Sequence, residues 1–376
     1  MKLKTPIGIA APRRTPMGRL GGMLAHLEAY ELLGVALKAV AAHAPAGLDE
    51  VLVGSVRNSL GNIARVGALQ AGLPVTLPAA TVDRQCASSL ESLRIAAAHI
   101  GSGFAECVLV GGVESASRCP WFLQKTPRPY HYFEPRPFPI RLSTEEVGDP
   151  SMGETAEILA DEFNITREQM DALALQSQQR AAQANFAPEL CPVPGVDATR
   201  DESIRESAAD ELARLKPVFR KDGRVTAGNS SPLSDGASAC VAARLEAFEK
   251  AGQPPDAILR AINVVALEPR RMGLGPALAI PALLDCCGLN VSDVDLFEIN
   301  EAFAAQVLAC NTILKLPLDV LNVNGGAIAL GHPFGATGVR LVATLVNALK
   351  QRGGKRGIAS LCIGGGQGMA ALIDLP

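Results

Sequence analysis

Aromatic residues are scarce in this 376-residue chain, at 4% of the total, with a single Trp and three Tyr. A core large enough for such a chain must therefore be filled by small and branched aliphatic side chains, which favours helices packed closely on sheets. Charge is also modest. Asp, Glu, Lys and Arg make up 19% and the net charge is -3, so neither a disordered chain nor a basic nucleic-acid or membrane-surface protein is indicated. No apolar run reaches the roughly 18 residues of a membrane span. The N-terminal apolar stretch in MKLKTPIGIAAPRR is short and broken by Pro12, unlike a signal peptide. The nine cysteines are odd in number and lack C-x-x-C spacing, which argues against a disulfide framework and a structural zinc site. Reduced thiols and a cytoplasmic location are expected, with no metal.

What is present is an alternation of short apolar runs and Ala/Leu-rich stretches. Residues 51–56, 107–113, 294–299 and 357–363 read as buried strands. Residues 32–42, 88–100, 302–314 and 339–351 read as helices, and the succession implies an α/β fold. The two ends of the chain also resemble each other. Ala11-Pro12-Arg13-Arg14 with Met17-Gly18 parallels Glu268-Pro269-Arg270-Arg271-Met272-Gly273, and the apolar runs at Val53 and Val110 parallel those at Phe297 and Ile363. Three matched segments in the same order imply a duplicated unit. Between the halves, residues 118–139 are rich in proline and aromatics and read as a long loop, either a lid or a surface insertion. Helices are expected at 154–163 and from Thr166, where Gln169 completes a capping-box pattern, to about Asn185.

Four residues stand out chemically. Cys86 lies where a strand feeds a helix, and a helix N-terminus favours thiolate; alone, it reads more readily as a small buried hydrophobe. His332 sits in a Gly-rich segment before a helix, a suitable setting for a base, whereas His26, His43, His99 and His131 lack that setting. Asn300 at a strand end is either an amide for an oxyanion or a helix N-cap. Cys362 precedes Gly364-Gly365-Gly366, where a dinucleotide loop is excluded because Met369 occupies the last glycine position. All four fall at strand ends, where open α/β sheets build sites.

Taken together, these motifs resemble the thiolase family over essentially the whole chain. GGAIALGHPFGATG (325–338), NEAFAAQ (300–306) and LCIGGGQGMA (361–370) carry the resemblance, with support from residues 151–157, 226–231 and 272–276. The resemblance implies a five-layer αβαβα fold: an N-terminal half of residues 1–117 and 235–250, an inserted loop domain at 118–234, and a C-terminal half at 251–376. It implies that Cys86 carries the acyl group and that His332 takes the thiol proton. Asn300 holds a water beside His332, Cys362 moves the proton at the α-carbon, and the N–H groups of Cys86 and Gly364 form a second oxyanion hole. Ser231 is expected on the pantetheine arm, with Met152 and Phe303 lining the pocket. Coenzyme A and acyl-CoA are then substrates, without a permanent cofactor, nucleic-acid partner or membrane, in a homodimer or homotetramer. Arg84-Gln85-Cys86 and Ser151-Met152-Gly153 look more like the degradative 3-ketoacyl-CoA branch, as in β-oxidation, than the acetoacetyl-forming one. Ser89 and Pro232 depart from common family residues. A non-catalytic acyl-CoA-binding protein is the alternative from another class, against which the retention of all four reactive positions argues.

Overall fold

The computed structural model describes residues 2–125, 137 and 140–376. Most of the Pro/aromatic loop expected at 118–139 therefore lies outside the described residues, and its lid reading with it. Among the described residues ten strands form one hydrogen-bonded sheet: β1 (Lys2–Arg14), β2 (Gly18–Arg19), β3 (Glu50–Gly54), β4 (Ala79–Val82), β5 (Cys107–Ser115), β6 (Ser234–Arg244), β7 (Ala257–Ala266), β8 (Leu296–Ile299), β9 (Arg356–Ile363) and β10 (Gln367–Asp374). Their order is β4-β3-β5-β6-β1-β7-β10-β9-β8, with β2 on β6.

The order is two copies of one pattern. In the first half β4, β3 and β5 run parallel, and β6 and β1 then pair antiparallel. In the second, Leu321 bridges β8 in parallel, β8 pairs parallel with β9, and β10 and β7 follow antiparallel. The copies meet where β1 pairs antiparallel with β7, so the two β layers are joined edge to edge. The strands at Val53 and Val110, and at Phe297 and Ile363, occupy equivalent places, as the internal similarity implies.

The central helical layer consists of Ser88–Ser102 and Thr337–Arg352, which pack on each other and on both β layers. Leu90, Leu93, Val339, Val342 and Leu345 join strand residues such as Val108, Val110, Leu361 and Ile363 in one core cluster. Fully burying such side chains contributes about 1.5–3 kcal/mol each. Outer helices cover the far faces: Ala29–Ala41 packs on β5 and β6, and Gly275–Cys287 on β7, β9 and β10. Helix, sheet, helix, sheet and helix are the five layers expected. Gly338 permits the central contact, since a Cβ there would lie 2.3 Å from the backbone nitrogen of Leu90.

Helices Met152–Glu162 and Arg167–Gln183 occur where expected, and the Thr166/Gln169 capping box forms. The segment between β5 and β6 is clamped to β1 by Arg14, which is fully buried and bonds Glu189 Oε1 at 2.6 Å and both Asp201 oxygens at 2.5 and 2.9 Å. Several expected boundaries move by two or three residues, and one has a clear cause. The helix read from residue 302 begins at Ala304, because Ala302 O accepts the Ser231 N–H and Phe303 bridges Ser230 as extended chain. Among the described residues no helix is long and apolar enough to cross a membrane.

Candidate active site

Cys86 follows β4 and stands two residues before the first helical residue, Ser88. The turn that presents it is tied locally. Gln85 adopts a left-handed φ of 47°, its N–H donates to Asp83 Oδ1, and Ser88 Oγ accepts from Arg84 N and donates to Gln85 O. A non-glycine residue held in that region costs on the order of 1–3 kcal/mol, a strain typical of functional turns. Cys86 is half-buried. Burial pushes its thiol up to about 11, against the backbone N–H groups of Gly364 and of Cys86 itself, which face the sulfur; Glu114 and Asp83 push it higher. The loss of solvation thus outweighs the N–H groups that favour thiolate, and Cys86 rests as a thiol, as a proton transfer to His332 requires.

Gly364 opens the turn between β9 and β10, in which Gly365 and Gly366 take φ values of 84° and 86°. A Cβ at Gly366 would lie 2.3 Å from Leu267 O, so the turn requires glycine there. Cys362, two residues earlier on β9, is 1% exposed. Burial holds its thiol well above the usual value, and the neighbouring Cys86 raises it further. The two sulfurs and the two N–H donors thus converge on one place.

Asn300 and His332 form the opposing wall. Asn300 follows β8 and is not an N-cap, since the helix begins four residues later behind Phe303; its amide is left for the site. Asn300 Nδ2 stands 3.3 Å from His332 Nε2. His332 Nδ1 lies 2.7 Å from Thr337 Oγ1, whose own hydrogen goes to Pro333 O. The hydroxyl must therefore accept from Nδ1–H, which leaves a lone pair on Nε2 facing the site. Ser234 Oγ holds the His332 backbone N–H. Burial, and then the charge of Arg340, push the imidazole down to about 3, so it rests neutral. Arg340 is fully buried and donates from Nη2 to Asn300 Oδ1 at 3.0 Å. A guanidinium cannot accept, so this bond turns the NH2 end of Asn300 toward His332.

Two of the residues expected in the pocket have neighbours in the site, Met152 at the Gly364 turn and Phe303 at Cys362. Met152 begins its helix beside the Gly364 turn: a Cβ on Gly364 would lie 3.6 Å from Met152 Sδ. Phe303 and Cys362 belong to one core cluster, with Met152 packed against it. Phe303 meets Phe219 edge to face at 6.1 Å. Ser231 is held by its N–H on Ala302 O. Ser89 is fully buried and accepts the Val339 N–H at 3.0 Å, so it joins the two central helices. Pro232 is half-buried, and its carbonyl accepts from Ser234 Oγ.

Sequence reasoning missed Thr337, Arg340, Ser234 and Glu114. Glu114 is buried in β5 and accepts the N–H groups of Val56, Arg57 and Gly335; burial nevertheless pushes it up to about 7. Its position three residues past Gly111, on a strand end, was the one available signal. Among the described residues no group of three or more His, Cys, Asp or Glu could hold a metal ion.

A nucleophile backed by two N–H donors, facing a neutral imidazole and an oriented amide, is suited to acyl transfer through a covalent thioester. Comparison with known proteins points the same way. The profile of the thiolase N-terminal domain matches residues 7–246, and that of the C-terminal domain residues 253–375. An acetyl-CoA acetyltransferase of Chromobacterium violaceum is 40% identical, over 98% of this chain and 100% of its own. A beta-ketoadipyl-CoA thiolase of Pseudomonas putida is 41% identical, over 96% and 97%. Human mitochondrial 3-ketoacyl-CoA thiolase in complex with CoA superposes with a TM-score of 0.93 at 39% identity, covering 100% of this chain and 99% of the other. The chain belongs to the thiolase family and is a CoA-dependent acyltransferase.

Proposed function

We propose that the enzyme runs in the degradative direction, cleaving 3-ketoacyl-CoA with coenzyme A into acyl-CoA and acetyl-CoA, by the division of labour that the site geometry supports. Cys86 Sγ attacks the 3-keto carbon as its proton passes to His332 Nε2. The C2–C3 bond breaks, the acyl group stays on Cys86, and the carbanion of the departing acetyl-CoA takes a proton from Cys362. Incoming coenzyme A attacks the thioester on Cys86; its thiol proton restores Cys362, and the proton on His332 returns to the Cys86 sulfur. The N–H groups of Cys86 and Gly364 stabilise the oxyanion formed at the acyl carbon, while His332 and a water on Asn300 stabilise the thioester oxygen of the acetyl unit. Ser231, Met152 and Phe303 guide the pantetheine arm and acyl chain.

The observation that carries this division of labour is geometric: the N–H groups of Cys86 and Gly364 face the Cys86 sulfur and Asn300 Nδ2 stands 3.3 Å from His332 Nε2, with the thiol raised and the imidazole neutral. Neither group is charged at rest, so charge develops only as substrate enters, when the donors aimed at the site can stabilise it. Reduced thiols support a cytoplasmic enzyme, and the mirrored strand orders support two halves, 1–117 with 235–250 and 251–376, around an insertion at 118–234. A homo-oligomer is included in the reading. β-Oxidation is one of several pathways open to it, because the relatives are named for different acyl groups.

The test is intact mass after incubation with acetyl-CoA, beside a Cys86→Ser variant. An acetyl adduct on the parent and none on the variant is expected. A folded parent that takes no acyl group from acetyl-CoA or any 3-ketoacyl-CoA would overturn the reading.

A further inference from the structure

Side chains alternate along β8. Phe297 and Ile299 join an outer cluster with Leu283 and Leu284, whereas Leu296 joins the central one with Leu345 and Val346. Glu298 and then Asn300, which stays paired to β9 through Ser360 O, therefore point with Leu296 toward the central helix Thr337–Arg352, which packs on β8. Arg340 meets them from that helix. Its Nη2 is used on Asn300 Oδ1, but its Nε and Nη1 are buried with no hydrogen-bond partner, as are both carboxyl oxygens of Glu298. Each is the foremost charge that reaches the other. The remaining charges around them are already partnered. Glu301 accepts from Ser177, Asn322 and the Ile328 N–H, and Glu189 accepts from Arg14, Thr344 and Asn347. Arg180 donates to the carbonyls of Leu318, Leu321 and Asn322, and Arg14 to Glu189 and Asp201. Glu298 and Arg340 are thus the couple left with free capacity, directly behind the wall formed by Asn300 and His332. Buried ionisable groups without partners are costly to a fold, and their place behind a catalytic wall points to use in the reaction. Arg340 is also the charge that reaches the His332 imidazole and opposes its protonation.

We infer that Glu298 is a positioning residue of acyl transfer: acting through Arg340, its carboxylate offsets the guanidinium charge as His332 takes the thiol proton, while Arg340 keeps its hold on Asn300. This rests on His332 being the base of the reading above. Burial pushes Glu298 up to about 8, with Glu301 and Glu189 acting in the same sense and Arg340 and Arg180 against it. Below that value the carboxyl is neutral, the full charge of Arg340 bears on the imidazole, and proton transfer from Cys86 is slower. Above it the carboxylate is present and the transfer is faster.

The test is the rate at which acetyl-CoA acetylates Cys86, followed by intact mass from about pH 6.5 to 9.5 in the parent and in Glu298→Gln. Glutamine has the shape of the protonated carboxyl, so the variant should fold and should match the parent at the acid end. The Cys86 thiol ionises alike in both, and the ratio of the two rates cancels its contribution. That ratio, parent over variant, is expected to rise from near one to about threefold to tenfold at the alkaline end, the gain from a base of higher proton affinity. Glu298→Asp, which keeps a carboxyl, should retain part of the rise. A ratio that does not change with pH overturns the inference: near one it means that Glu298 takes no part, and above one throughout it means a packing role alone. A parent rate that is flat or falling across the alkaline half of the range overturns it without recourse to a variant. An adduct missing from the parent at every pH would overturn the thiolytic reading and this inference with it, an outcome distinct from an unchanging ratio.

Discussion

At the scale of single residues, the site works by holding uncharged groups where charge will form. His332 is neutral for two reasons that reinforce each other, its burial and the nearby Arg340. Arg340 has a second effect through Asn300, whose amide it orients at 3.0 Å. Arg340→Met removes both. Asn300 is then free to present its oxygen to His332, and kcat is expected to fall by about tenfold to a hundredfold, the usual cost of a misplaced catalytic group. The imidazole also rises from about 3 toward its ordinary value of 6.5, so the acid limb of the kcat/KM profile moves to higher pH. Arg340→Lys, which keeps the charge, should hold the limb near its parent position. A general packing defect would lower activity without moving the limb, so the pH profile decides between the two. None of this was legible in the sequence. Cys86, Asn300, His332 and Cys362 announce themselves by residue type at strand ends. Arg340 reads as one helix residue among others, because its partner is 40 positions away and its burial is set by the packing of the layers.

At the scale of elements, local pattern reached far. The capping box at Thr166 and the apolar runs that became β3, β5, β8 and β9 were readable because their signals lie within a few residues. The long-range contacts were not. The joint between β1 and β7 and the bond from Val339 N to Ser89 Oγ, 250 residues apart, follow from the assembled layers. The start of the helix at Ala304 was misjudged for the same reason, since Ala302 and Phe303 are claimed by Ser231 and Ser230. Two substitutions separate local from assembled structure. Thr166→Ala removes a cap and should cost about 1 kcal/mol in denaturant unfolding, with turnover per folded molecule unchanged. Gly338→Ala places a methyl against the Leu90 backbone, which cannot yield as a side chain would. A loss of about 2 kcal/mol is expected. Turnover should fall with it, because the two central helices carry Cys86 and His332 at their N-terminal ends. Equal activity in both variants would mean that helix spacing does not set the catalytic geometry.

At the scale of the whole molecule, burying ionisable groups makes stability depend on pH in a direction that can be worked out. Glu298, on β8, is buried with neither carboxyl oxygen hydrogen-bonded; burial pushes it up to about 8, against the opposing charge of Arg340. Its ordinary value is 4.5, so between 4.5 and 8 the folded chain holds a proton that the unfolded chain has released. Stability from this group is full below 4.5 and declines as pH rises to 8, by about 1.4 kcal/mol per unit. Glu114 acts in the same sense between 4.5 and about 7. His332 acts oppositely: with a folded value of about 3 against 6.5, it makes stability rise across that interval. Between 4.5 and 6.5 the rising slope of His332 offsets one of the two falling slopes, so a net fall remains. Above 6.5 His332 is neutral in both states, and Glu298 is left as the main slope from 7 to 8. Urea unfolding of the parent is therefore expected to show stability falling by about 1 kcal/mol between pH 7 and 8. Glu298→Gln, neutral in both states, should flatten that interval. An equal fall in the variant would place the titrating group elsewhere. A flat parent curve would mean that Arg340 keeps Glu298 ionised in the folded enzyme, and the two would then form a buried ion pair behind Asn300.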